Sequence, residues 1–243
     1  MRYLIGIDDT DNRESRGTGF RARTLGAQLE VTGLVNLLGI TRHQLLVSPL
    51  IRYTARNSAA CLVVDLEEEV AALANACRTF LLRESAPGSD AGLCIAPWGA
   101  IGPSVKEFGQ SAKGEVLPAS DALTLARQEN VLLEGLTGDR SGIIGALAAV
   151  GLRASENDGR FIWLRGTRSL SGIHTVAALC HDTGIEAVGT FDGKDLAPSA
   201  QVDVGQWVRP ILREGRATLL VEKASDNGTW RVLPREMTKQ ASN

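Results

Sequence analysis

Three carboxylates, Asp8, Asp9 and Asp11, stand within four positions of one another in the stretch IGIDDTDNRESRGTGFRAR, residues 5–23. Adjacent acids repel, and they favour neither a strand nor a packed core. A hard divalent cation such as Mg²⁺ wants such oxygen ligands, and the hydroxyls of Thr10 and Thr18 are near enough in sequence to support the shell. That cation commonly arrives with a phosphate. Gly17 and Gly19 would let the backbone approach one, and the following helix points its N-terminus at it. Arg16, Arg21 and Arg23 add charge of the right sign. A polar turn with Asx caps explains one acid well and three poorly. The reading is therefore Asp8, Asp9 and Asp11 as metal ligands, Asp9, Asp11 and Thr18 at the chemistry, and Gly17 and Gly19 at the phosphate.

Three further stretches carry suitable groups. In GLTGDRSGIIGALAAVGL, residues 135–152, Gly138 and Gly142 make a flexible turn, Ser141 is a good N-cap and Gly151 a good stop. Asp139 and Arg140 fall where a metal or an anion would meet the helix start, so Arg140 is a candidate to stabilise charge on a transferred group. In SPLIRYTARNSAACLVV, Arg52, Arg56 and Asn57, with Arg42 nearby, can converge on one anionic ligand or form a solvated loop face. RGTRSLSG, residues 165–172, is a donor-rich loop or a plain connection.

Better-known motifs do not fit. GTGFRA matches a dinucleotide pattern, but β-structure ends too early for a Rossmann turn. No GxxxxGK[ST] exists. The threonine of a phosphoaspartate phosphatase and the glycine of an actin-like phosphate loop are both missing.

The elements that must hold these groups read as follows. Arg2–Ile7 is an apolar strand, and Phe20–Thr32 a helix with Ala22, Leu25 and Leu29 on one stripe. Strands follow at His43–Val47 and Ala59–Leu66. A helix at Glu67–Arg83 would have three glutamates in its first turn, where the dipole favours them. Then come a strand at Leu93–Pro97, a helical turn at Val105–Gly109, and helices at Asp121–Leu133 and Ile143–Val150. A strand at Phe161–Leu164, a helix at Ile173–Asp182 and a hairpin from ATLLVEK and TWRVLP complete the series, and the tail after Arg235 should fray. Strands and helices alternate without a clean βαβ rhythm, which predicts α+β or mixed α/β.

The 243 residues carry a formal net charge of −2, 44% apolar and 22% charged residues, the profile of a water-soluble globular chain with no global basic field for nucleic acid. No signal peptide or membrane span is expected, and the four unpaired-looking cysteines read as reduced core thiols, so the expected location is cytoplasmic. His43, His174 and His181 form no metal motif. Aromatic residues show no basic–aromatic pattern for RNA.

Taken together, IGIDDTDNRESRG, SPLIRYTARNSAA, GDRSGIIGALAAVGL and WVRPILREGR resemble, in the same order, segments in the N-terminal half of the archaeal tRNA agmatinylcytidine synthetase family, which modifies an isoleucine tRNA. The resemblance implies an α+β fold, with a kinase-like mixed sheet and helices over residues 1–115 and a ferredoxin-like domain over 116–243. It implies ATP and Mg²⁺ as cofactors and phosphate transfer during activation of a substrate. Asp8, Asp9 and Asp11 would hold the metal, Arg56 would match a family arginine, and Gly142 and Gly145 would match glycines of the buried helix. Two departures count. The family's phosphoacceptor threonine is out of register with Thr18, and the family's OB-fold and zinc ribbon have no counterpart. tRNA binding is therefore not expected of this chain alone. The expected function is an Mg²⁺- and ATP-dependent phosphotransferase or ligase acting on a small substrate or a partner protein, with a non-catalytic nucleotide- or metabolite-binding module as the alternative.

Overall fold

The run RYLIGID forms strand β1 (Arg2–Asp8), and Leu4, Ile5 and Ile7 are fully buried. A strand apolar on both sides belongs in the middle of a sheet covered on both faces. The computed structural model describes residues 1–54, 57–224 and 228–242, and the chain divides into two units, Met1–Ser155 and Glu156–Asn243.

In the first unit β1 is followed by α1 (Thr18–Val31), β2 (Val35–Gln44), β3 (Ser58–Leu66), α2 (Val70–Glu84) and β4 (Gly92–Pro97). These strands pair antiparallel in the order β4-β1-β3-β2, the ferredoxin-like βαββαβ arrangement. It thus lies ahead of residue 116, not after it. Helix α3 (Pro103–Gly114), α4 (Ala119–Gln128), strand β5 (Leu132–Gly135) and α5 (Ile143–Ala154) follow, with β5 added antiparallel to β4. The unit's end at Ser155 rather than 115 has a packing reason: Ala122, Ala126, Leu147 and Val150 share one apolar cluster with Leu4 of β1 and Cys94 of β4.

Helix α1 buries Ala22, Leu25 and Leu29, the expected stripe. It ends in a Schellman motif, with the Gly33 and Leu34 N–H groups on the Glu30 and Leu29 carbonyls and Gly33 at φ +73°. Helix α5 is buried almost throughout, as expected of a helix apolar all round. It lies directly on β1, where a Cβ on Gly6 would collide with the Ala146 carbonyl.

Several elements depart from expectation. Strand β2 runs Val35–Gln44 rather than over His43–Val47, and a bulge between Leu37 and Gly39 breaks the alternation that would mark its first half in the sequence. Glu67 and Glu68 precede α2, and Glu69 is its N-cap. Pro103 opens a full helix α3 where the sequence suggests only a turn. Asn130, at φ +52°, stops α4 before β5. Gly151 does not end α5: it lets Val105 of α3 press against the helix backbone.

The second unit comprises β6 (Arg160–Trp163), β7 (Ile173–Thr175), α6 (Val176–Asp182), β8 (Ala187–Gly189), β9 (Gln201–Asp203), β10 (Ile211–Arg213), β11 (Arg216–Lys223), β12 (Trp230–Val232) and α7 (Arg235–Ala241). Pairing is mixed. β11 is antiparallel to β10 and β12 but parallel to β8, and β12 is parallel to β9. The antiparallel β11–β12 pair is the expected hairpin. The helix expected over 173–182 begins as strand β7, paired with β9, and only then becomes α6 with Thr175 as its cap. The tail forms α7 and buries Thr238. The fold is α+β. No helix among the described residues is long and apolar enough to cross a membrane. The four cysteines are free, and burial pushes the Cys61 and Cys77 thiols up to about 12.

Candidate functional site

Where β1 ends, the chain turns sharply. Asp9 takes φ +48°, a left-handed conformation that costs a non-glycine residue free energy. The next residue, Thr10, is fully buried. Its carbonyl accepts the Ala86 N–H and its hydroxyl donates to Thr18 Oγ1 at 3.2 Å. This anchoring fixes where the flanking acids point.

The three acids do different work. Asp11 is tied into the loop: its Oδ1 accepts the Thr18 backbone N–H at 3.1 Å and the Thr18 hydroxyl at 2.8 Å, and its Oδ2 accepts the Thr54 hydroxyl at 2.6 Å. It thereby caps the first turn of α1 from six residues upstream of the N-cap, Gly17. Asn12 supplies an ordinary Asx turn, accepting the N–H groups of Glu14 and Ser15.

Asp8 and Asp9 are not tied down in this way. Asp8 is pushed up to about 7, first by burial and then by repulsion from Asp9 and Asp11, against the Asp9 backbone N–H and Arg42. Helix α5 is the wall that buries it, since a Cβ on Gly145 would strike its carboxylate. Asp9 is pushed up to about 6, again by burial first, then by Asp90, Asp11 and Asp139, with Arg52 opposing. Carboxylates raised by burial and like charge are short of positive charge.

Asp90 is the acid that sequence reasoning misses. It is 4% exposed. Its Oδ1 accepts the Asp139 N–H at 2.8 Å, its backbone carbonyl accepts the Gly142 N–H at 2.9 Å, and Arg52 pairs with its Oδ2 at 3.4 Å. Asp90 therefore builds the turn that launches α5. Hydrogen bonds from the Ser141 hydroxyl and backbone N–H hold Asp139 below the usual carboxylate range.

These elements surround a cavity of about 300 Å³, the low end of the range for small-molecule sites. Asp8, Asp9, Asp11, Thr18, Asn57, Ser141 and Gly142 of the expected set line it. So do Leu45, Leu50, Ile51, Val116, Leu117 and Ile144, an apolar contribution that no sequence motif assigns here. Leu45 and Leu117 pack with Ala112 as part of the core below.

Other expected residues are elsewhere. Gly17 and Gly19 are at the N-cap and in the first turn of α1, outside the lining. Gly138, at φ +53°, makes room for Asp90. Arg140 is exposed, its Cβ against Gly135, and does not line the cavity; its φ of +69° is left-handed. Ser141 is not the N-cap of α5, because Gly142 occupies that position. Arg56 lies outside the described residues. In the second unit, the Thr167 and Ser169 hydroxyls donate to the Leu164 and Gly166 carbonyls nearby. His43 is buried and bonded to Thr41. Among the described residues, no three His, Cys, Asp or Glu side chains are placed to hold a metal by themselves.

No protein-family model matches the chain. An uncharacterized protein of Methanocaldococcus jannaschii is 29% identical over 155 residues, 62% of this chain and 50% of that one. Among solved structures, 62% of the chain matches 36% of a tRNA fluorescent labeling enzyme, with 26% identity and a TM-score of 0.55. The same shares match TiaS in complex with its tRNA and ATP, with 26% identity and a TM-score of 0.54. For TiaS in complex with its tRNA, AMPCPP and agmatine the values are 25% and 0.53, over 62% of this chain and 36% of that one. TiaS is a tRNA agmatidine synthetase. The resemblance read from the four sequence segments is thus present in the fold, over part of each chain. This chain spans half the length of the curated relative and 36% of these solved structures.

Proposed function

We propose that the first unit binds ATP with Mg²⁺ in the cavity beside Asp8 and Asp9 and uses it in a phosphotransferase or ligase reaction on a small acceptor. The observation that carries the reading is the Asp8–Asp9 pair itself, two adjacent carboxylates raised to about 7 and about 6 on the wall of a cavity of about 300 Å³. The likeness to a synthetase solved with ATP and with AMPCPP supports it.

The donor set fits Mg²⁺. Hard carboxylate oxygens are its preferred protein ligands, and it usually takes only one or two of them, filling its octahedron with water and phosphate oxygens. When bound, the ion would neutralise phosphate charge. Asp8 and Asp9 would hold it, and Asp11, which accepts the Thr18 hydroxyl, would sit with Thr18 beside the chemistry. Leu45, Leu117 and Ile144 offer an apolar seat for the base. Asn57, Ser141 and Gly142 complete the proposed nucleotide contacts, and Arg140 does not line the cavity. Catalysis would be positioning and electrostatics. A cytoplasmic location is part of the proposal, supported by four free cysteines.

Binding without turnover, in a module that regulates a partner, is favoured by one observation: the Thr18 hydroxyl is buried and already engaged. Thermal-shift measurements with ATP, with and without Mg²⁺, followed by a phosphate-release assay, separate the readings. A Mg²⁺-dependent shift with phosphate release supports the enzyme; a shift without release supports the binding module; no shift removes both.

A further inference from the structure

The cavity is rich in acids, and Arg52 is the one basic residue among the described residues that line it. We propose that Arg52, aimed by Asp90, reads the terminal phosphates of the nucleotide and sets a preference for ATP over AMP; this rests on the nucleotide reading of the cavity.

The geometry is that of a guanidinium held for use rather than spent. Arg52 Nη1 donates to Asp90 Oδ2 at 3.4 Å and Nη2 to the Gly88 carbonyl at 3.3 Å. Those bonds use two of its five N–H donors. Its side chain is 78% exposed, against 6% for Asp90, so the acid is a fixed post and the arginine a free head. Asp90 cannot move without disturbing the Asp139 and Gly142 N–H groups that it also holds.

Position supports the assignment. A second cavity of about 380 Å³ adjoins the first, and Asp9, Asp11, Arg52, Tyr53 and Thr54 line both. Arg52 is thus on the shared wall, beside the acids proposed to carry the cation. A planar fork of N–H donors matches the oxygens of a phosphate, which a point charge does not. A nucleotide with its base on the apolar lining and its phosphates toward Asp9 would present its outer phosphates to this fork, and a monophosphate would fall short of it.

The test is calorimetric titration of ATP and AMP, with Mg²⁺, into wild type, Arg52→Ala and Arg52→Lys. We expect Arg52→Ala to weaken ATP about tenfold or more, the loss of a charge-assisted bond, and AMP by less than about twofold. Arg52→Lys should fall between, since it keeps charge but loses the fork. Asp90→Asn in the Arg52→Ala background should cost ATP little further, because its aiming role is already gone. Wild type binding ATP no better than Arg52→Ala would overturn the assignment and leave the nucleotide reading intact. Equal weakening of ATP and AMP would overturn it too, by showing a general structural effect. Wild type binding neither nucleotide would bring down the parent reading and this inference with it.

Discussion

Gly145 of α5 lies against the carboxylate of Asp8, so closely that a methyl group at position 145 would occupy the space of Asp8 Oδ2. The site therefore depends on a missing side chain. Gly145→Ala must push α5 off β1 or turn Asp8 away, at a cost of about 1–3 kcal/mol for overpacking, and it should abolish Mg²⁺-dependent nucleotide binding. Gly151→Ala, on α5 like Gly145 but meeting the Val105 carbonyl of α3, should destabilise comparably. Its folded fraction should still bind. Thermal midpoints and titrations of both variants check this, and loss of binding in both would mean that general packing, not Asp8, is what Gly145 protects.

The raised acids give a pH dependence with a definite sign. Asp8 and Asp9 keep their protons in the folded protein to about pH 7 and about pH 6, against an ordinary 3.8. The folded state binds more protons across that window, so their stabilising contribution is complete below it and is lost as pH rises through 6 and 7. The metal-free protein should lose thermal midpoint between about pH 4 and pH 7 through these groups and level off above that, Asp8→Asn should flatten the slope, and Mg²⁺ should restore more at the alkaline end. A steeper fall in Asp8→Asn would contradict the assignment.

Asp9→Asn removes a charge that Asp90, Asp11 and Asp139 repel. Its thermal midpoint should hold or rise, while ATP turnover falls by about a hundredfold or more, the scale of losing one electrostatic group at a reaction centre. Phosphate release measured beside a melting curve decides it. Release at the wild-type rate would remove the catalytic role.

Thr54→Val deletes the hydroxyl that Asp11 Oδ2 accepts while keeping the shape of the side chain. The expected stability cost is about 1 kcal/mol. Nucleotide affinity should fall several-fold, because Arg52 and Tyr53 on the same loop line the cavity. Thr54→Ser, which keeps the donor, should restore most of that affinity; no rescue would place the effect in packing instead.

Much of this is legible in the sequence because the signals are local. Buried strands β1, β3 and β4 announce themselves as short apolar runs, the Ala22–Leu25–Leu29 stripe gives α1, and three clustered acids mark the loop that the cavity uses. What the sequence hides is decided by tertiary contact. Gly151 looks like a helix stop and is a packing surface for α3, and Asp90, which no sequence motif marks, is a buried hub. Ile173–Thr175 has no strand pattern of its own and pairs because β9 is there. Arg140 and Arg52 are both loop arginines near acids. Only the left-handed backbone at Arg140 and the Asp90 contact at Arg52 separate them. The three acids also read as equivalent, though Thr18 and Thr54 donate to Asp11 and tie it into the loop, which Asp8 and Asp9 escape.

The most direct trial of the nucleotide reading is a crystal grown with Mg²⁺ and a non-hydrolysable ATP analogue. The expected result is a cation against Asp8 and Asp9, the triphosphate along the acid loop toward Arg52, and the base on Leu45 and Leu117. An analogue bound away from this cavity, with Asp8 and Asp9 facing only water, would contradict it.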